Sequence, residues 1–338
     1  MSAKKSTKRE FDWREYSKPA RVLTTAQESE LLGGFLRPLL DLALADTALN
    51  LHIRARQATL YHRGVSLVRL SGAEPPFTAQ IDANLRLPRA ERTGAERLES
   101  WPLSDAESVS KLLGEVRALC EFADSLAAEE GATPARNVLM RFAEANGPHV
   151  SHSAELVVVD VEYQYGKRRF DFVAMRRATG VGGLGAFTTP RLVIGELFTG
   201  DRAPSSPAGL TTFGAEAAQF AHALSGEHLE RAKTELTALA AQKIRLGLLA
   251  PDIPFSHFAA GSPELLVAFT TPSFSDASID APIAELHDRA VARHFPAELI
   301  EFAAVGDARP DDDHSLEVAE DDVLPYRAFK GMRKRLQG

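Results

Sequence analysis

Asp160 and Glu162 lie in Leu156-Val-Val-Val-Asp160-Val-Glu162, Asp171 lies in Phe170-Asp-Phe-Val, and Glu196 ends the run Leu192-Val-Ile-Gly. Asp160 and Glu162 are two residues apart, so on a strand they share one face. A carboxylate within or at the end of an apolar strand is costly unless it is paired or bound to a metal. Strands meeting side by side would gather these groups into one negative cluster. Hard cations such as Mg²⁺ or Mn²⁺ compensate such clusters, and substrate phosphates often complete a Mg²⁺ site. The chemistry suggested is metal-assisted phosphodiester hydrolysis. The alternative is that the carboxylates pair with Arg168, Arg169, Arg176 or Arg191 and only hold the sheet.

The elements that must position these acids can be read from periodicity. Residues 1–25 are polar and read as a basic arm, with a turn around Phe11-Asp12-Trp13. Apolar residues at helical spacing run from Glu28 to Leu49, with Gly33-Gly34 and Pro38 as points of bending. Leu51–Leu70 alternates as two strands, LHIRARQATLYHRG and VSLVRL, turning at Arg63-Gly64. A helix follows over 104–130, with Ser104 and Glu107 as a capping box. Another begins at Thr133-Pro134 and stops at Asn146-Gly147-Pro148. Strands are expected at 155–165, 168–175, 190–198 and 263–270. Helices are expected over 211–247, broken near Ser225-Gly226, and over Ile279–Phe302. Asp307–Asp322 reads as an acidic loop. The fold class is α/β, a central mixed sheet flanked by helices. An N-terminal α+β region spans 26–103, the α/β domain 104–275, and a C-terminal helix and tail 276–338.

The order helix, strand, turn, strand with Asp171, strand with Glu196, helix, strand resembles the PD-(D/E)xK nuclease superfamily over about residues 130–272. The resemblance implies a restriction-endonuclease-like fold and a metal-dependent site. In it Asp171 and Glu196 hold Mg²⁺ or Mn²⁺, Asp160 or Glu162 assists, and Glu144 is an additional metal contact. It also implies cleavage of nucleic acid, with DNA the first expectation. One position departs from the pattern. Where the superfamily has a lysine that steadies the attacking water and the developing phosphate charge, this chain has Phe198. Either a cation has moved elsewhere, with Lys167 on the hairpin turn the first choice and Arg169, Arg202 and Lys243 behind it, or the domain no longer cuts and binds nucleic acid or protein. Lys243 otherwise reads as a surface lysine with its stem on an apolar helix face.

Arg54, Arg56 and Arg63, with Tyr61 and His62, give the N-terminal strands a basic, partly aromatic face able to contact a phosphate backbone. Its plainer reading is a solvated sheet face. Other chemistries find no support. Gly180–Gly185 lacks the Gly-Lys-Ser/Thr of a phosphate loop, and Ser66 lacks a Gly-x-Ser-x-Gly setting. His149 and His152 do not have zinc-site spacing. The 338 residues are 44% hydrophobic and 25% charged, with a formal net charge of −7, which argues against a general nucleic-acid binder despite basic residues at both ends. The single cysteine, Cys120, rules out an internal disulfide and favours a reducing, cytoplasmic setting. The basic start has no apolar run behind it, and no stretch is long and apolar enough for a membrane span.

Overall fold

The computed structural model describes residues 21–54, 56–82, 85, 100–130, 135–147, 155–165, 168–177, 187–199, 227–250, 252–270, 280–292, 295–305, 318, 323–326 and 328–329. The chain's first apolar segment forms two helices, α1 (Thr25–Gly33) and α2 (Arg37–Ala45). A capping box starts α1: the Thr24 hydroxyl accepts from Gln27 N–H, and the Gln27 amide oxygen accepts from Thr24 N–H. The helix ends at Gly34, where a Cβ would collide with the Glu30 side chain. Pro38 opens α2, as its fixed φ favours.

Five strands then form an antiparallel sheet in sequence order: β1 (Leu49–Arg54), β2 (Gln57–His62), β3 (Val65–Ser71), β4 (Phe77–Ile81) and β5 (Ser100–Leu103). The expected turn at Arg63-Gly64 is present, with φ of 47° and 86°, the positive values that a two-residue hairpin loop requires. The expected single strand before it is a hairpin instead. Arg56 takes φ 61° and turns the chain between β1 and β2. No glycine marks this turn, which is why alternation alone carried the strand through it.

Helix α3 (Ala106–Glu130) has its cap one residue later than expected. Asp105, not Ser104, receives the Ser108 N–H at 2.8 Å. Its buried stripe of Val109, Leu112, Val116 and Leu119 packs on the five-stranded sheet through β3 and β5. Helix α4 (Ala135–Ala145) follows, stopped as expected at Asn146-Gly147.

The central sheet has six strands in the order β11-β10-β9-β8-β7-β6. They are β6 (Leu156–Tyr165), β7 (Arg168–Arg176), β8 (Arg191–Phe198), β9 (Glu264–Thr270), β10 (Ile300–Val305) and β11 (Val323–Pro325). The antiparallel meander β6-β7-β8 changes to parallel pairing at β8–β9 and β9–β10. Parallel neighbours need crossovers. Helix α5 (Glu227–Arg245) lies between β8 and β9 in sequence, and α6 (Asp280–Ala292) between β9 and β10.

The expected helix over Ile279–Phe302 is therefore corrected: it ends at Ala292, and Ile300–Val305 is a buried parallel strand. A continuously apolar strand lacks the alternation that would have separated it from helix. One sheet face, with Val158, Val161, Phe172, Ala174, Val193 and Leu197, shares an apolar cluster with α4. The other, with Val159, Val173, Ile194 and Phe198, shares a cluster with α5, α6 and the five-stranded sheet. Among the described residues no helix is long and apolar enough to cross a membrane.

Candidate functional site

The sheet register brings the acids of β6, β7 and β8 to one level. The pairs Val161↔Phe172 and Tyr163↔Phe170 bracket Glu162 and Asp171. The last pair of the next ladder is Phe172↔Gly195, so one step further sets Asp171 against Glu196. Asp160 pairs with Val173, two positions up β7.

Asp171 is only 6% exposed. Its Oδ2 accepts the backbone N–H of Leu197 on β8 at 3.0 Å. A side chain thus takes a donor from the neighbouring strand where ladder pairing ends. Glu196 is half-buried beside it. Gly195 is required for this arrangement: a Cβ there would lie 2.0 Å from Phe172 Cζ. The Phe172 ring crosses Gly195 and then packs on Phe142 of α4, centroids 4.9 Å apart.

Asp160 and Glu162 are held by cations from elsewhere in the chain. Arg21 Nη1 donates to Asp160 Oδ2 at 2.5 Å, and its guanidinium lies 4.1 Å from the centroid of the Tyr163 ring. Arg54, at the end of β1, donates to Glu162 Oε2 and to the Val161 carbonyl, each at 2.6 Å. Its Nε is 3.9 Å from Asp160 Oδ1. Burial pulls the Arg54 pKa down, but Asp160 and Glu162 outweigh it and hold the pKa above its ordinary value. Glu162 takes a positive φ of 48° beside these bonds.

Lys243 was expected at the surface and is instead 4% exposed. Its Nζ donates to the Val159 carbonyl at 2.7 Å, where β6 bulges. Burial lowers its pKa to about 8, with Asp160 pulling the other way and Arg54 adding to the fall. Helical spacing held the signal, since Leu239, Ala240 and Leu246 around it are all buried.

Phe198, at the position of the motif lysine, is 8% exposed and stacks on Phe269 at 5.5 Å. Phe269 continues onto Phe329, and Phe329 onto Phe302. Glu144 is half-buried on α4, the helix on the Phe172 face of the sheet. Lys167 and Arg202 lie outside the described residues, as does the side chain of Arg169.

The three arginines of the expected basic face separate. Arg54 is committed to Asp160 and Glu162, Arg56 is exposed on the β1–β2 turn, and Arg63 is exposed and 3.2 Å from Asp124. Arg176 and Arg191, offered as partners for the site acids, bond other acids. Arg176 reaches Glu155, Glu264 and Glu301, and Arg191 reaches Glu264.

Among the described residues no three His, Cys, Asp or Glu side chains form a group that could hold a metal ion. The donors that the register sets side by side are Asp171 and Glu196. Compared with known protein families, curated proteins and solved structures, the chain has no match in any of the three.

Proposed function

We propose that the chain is a metal-dependent phosphodiesterase acting on nucleic acid, with DNA as substrate class, on a restriction-endonuclease-like sheet. The observation that carries this is the buried Asp171 of β7 bonded through its Oδ2 to the N–H of Leu197, the residue after Glu196 on β8. Mg²⁺ keeps several waters and commonly takes one or two protein carboxylates together with substrate phosphates. A two-carboxylate donor set fits that demand. Bound by Asp171 and Glu196, such an ion would lower the pKa of a water and offset charge on the scissile phosphate.

The chain's own groups do the rest. Leu197 N–H orients Asp171. Asp160 and Glu162 balance Arg21 and Arg54 behind the pair. The cation that Phe198 cannot supply comes from Lys243 or from Lys167, which lies outside the described residues. The test incubates plasmid, linear and single-stranded DNA, and RNA, with the protein in Mg²⁺ or Mn²⁺, beside Glu196→Ala. Cleavage that disappears in the variant supports the enzyme. Equal residual cleavage by both proteins, or none on any substrate, removes it.

The aromatic stack around Phe198 favours a second reading, a module that binds nucleic acid or protein without cutting. On that reading Asp171→Asn with Glu196→Gln leaves binding unchanged, and wild type shows no cleavage.

A further inference from the structure

Residues 47–73 hold four arginines and no Asp or Glu, in a chain whose formal net charge is −7. They form β1, β2 and β3, and β4 and β5 add no acid. Alternation sorts this sheet into two faces. The apolar one, with Leu70, Phe77, Ala79 and Ile81, is buried in the cluster that includes the α3 stripe. The other is polar, and the register crosses it in two rows. Thr59↔Arg69, Arg69↔Gln80 and Gln80↔Ser100 form one. Arg54↔Gln57, Ser71↔Thr78 and Thr78↔Pro102 form the other, joined because Gln57 and Ser71 lie one step beyond the pair Ala58↔Leu70.

From β3 to β5 the polar face is open: Arg69, Thr78, Gln80, Ser100 and Pro102 are exposed and Ser71 is half-buried. Arg56, on the turn after β1, is exposed as well. The side chains of Arg56 and Arg69 form no ion pair among the described residues. The acids next along the chain, Glu74 and Asp82, lie beyond the ends of β3 and β4. The second row leads to the acid pair. It starts at Arg54, whose guanidinium bonds Glu162 at 2.6 Å, and Glu162 stands across the β6–β7 ladder from Asp171. Two unpaired guanidiniums, a set of neutral donors and strands without a carboxylate suit a polyanion. Proteins that hold single strands offer aromatic rings to unstacked bases. Among the described residues this open face presents none: Tyr61, the ring on this side of β2, is 3% exposed.

We propose, resting on the phosphodiesterase reading for the choice of partner, that the open face of β3–β5 seats the phosphate backbone of duplex DNA on its approach to the acid pair. Arg69 and Arg56 hold the phosphates, and such contacts position the duplex without reading its sequence.

The experiment measures binding of the full chain to a short labelled duplex by anisotropy, in EDTA and over a range of KCl, so that binding is read without metal or cleavage. Each phosphate contact adds about 0.9 to the fall of log affinity with log salt. Arg69→Gln and Arg56→Gln are each expected to lower that slope by about 1 and to weaken binding about fivefold or more at roughly 0.1 M salt. Thr78→Glu, an acid set into the second row, is expected to weaken binding with little change in thermal unfolding. Arg117→Gln removes the same charge from α3, on the apolar side of the sheet, and is expected to bind as wild type does. No binding by wild type at low salt, an unchanged slope in the Arg56→Gln, Arg69→Gln double variant, or an equal loss in Arg117→Gln overturns the proposal. So does a single strand bound more tightly than the duplex with the same dependence on Arg69. Duplex binding that depends on Arg69, with no cleavage in Mg²⁺ or Mn²⁺, keeps this seat and removes the enzyme.

Discussion

Along β7 the central sheet carries charge at two levels, about 16 Å apart for five residues of strand. At the upper level Arg176 bonds Glu155, Glu264 and Glu301, and Arg191 adds a second bond to Glu264. The acids come from β9, β10 and the residue before β6, so two arginines tie five neighbouring strands together. At the lower level the cations come from outside the sheet. Arg21 precedes α1, Arg54 belongs to β1 and Lys243 to α5, and they meet Asp160 and the Val159 carbonyl on β6. Asp171 and Glu196 stand next to that group, with a backbone N–H as one partner of Asp171. The first network is a clasp within one sheet. The second joins the two sheets and leaves the acid pair beside buried positive charge. An acid in an apolar strand is therefore not by itself a catalytic signal, because in this sheet Glu264, on such a strand, is an ion-pair partner of Arg176 and Arg191.

The largest expected effect comes from opening the clasp. Arg176→Met leaves three acids facing one another with Arg191 alone, and removing one partner of a buried ionic cluster typically costs about 3–5 kcal/mol. Denaturant unfolding should show that loss, while any Mg²⁺ affinity of the remaining folded protein stays as in wild type. A loss below about 1 kcal/mol would mean the acids relax into solvent and the clasp is not one.

Lys243 sharpens the contrast through pH. Its folded pKa is about 8, below the ordinary value of 10.5. Between these values the unfolded chain binds a proton that the folded chain does not, so stability rises with pH across that window. The burden of the charged amine is present below about pH 8 and disappears above about 10.5. Relative to Lys243→Met, wild type should gain roughly 3 kcal/mol from pH 7.5 to 10.5. A stability difference between the two proteins that stays flat across this range would place the amine in water.

Gly195→Ala has a smaller but more local effect. The added Cβ meets the Phe172 ring, and overpacking of this kind typically costs about 1–3 kcal/mol. Phe172→Leu on the same background should recover part of it, since the clash is with the ring. Because Gly195 and Phe172 adjoin Glu196 and Asp171, Mn²⁺ binding by calorimetry should weaken in the single variant more than in Arg176→Met. The reverse order would uncouple the acid pair from its supporting strands.

Sequence alone determined much of the local structure. The Arg63-Gly64 turn, the stop at Asn146-Gly147 and the strands β6 to β9 all follow from signals a few residues long. So do the strand positions of Asp160, Asp171 and Glu196. Local signals are legible because they act through the backbone of adjacent residues. They fail where two structures share one local pattern, as at Ile300–Val305, whose apolar run fits helix and buried strand alike.

What only the tertiary structure decided is which charges meet. Arg54 and Glu162 are 108 residues apart, and Arg21 and Asp160 are 139 apart. Nothing in either short stretch names its partner. Lys243 became a buried amine, and not a surface one, because α5 packs that face against the bulge at Val159. Phe198 joined an aromatic stack because β9 and the chain's last described residues, around Phe329, come to its side. An ionic group's partner, burial and proton affinity are set by what the fold packs around it from distant parts of the chain, so they are fixed only when the strands take their register and the layers close.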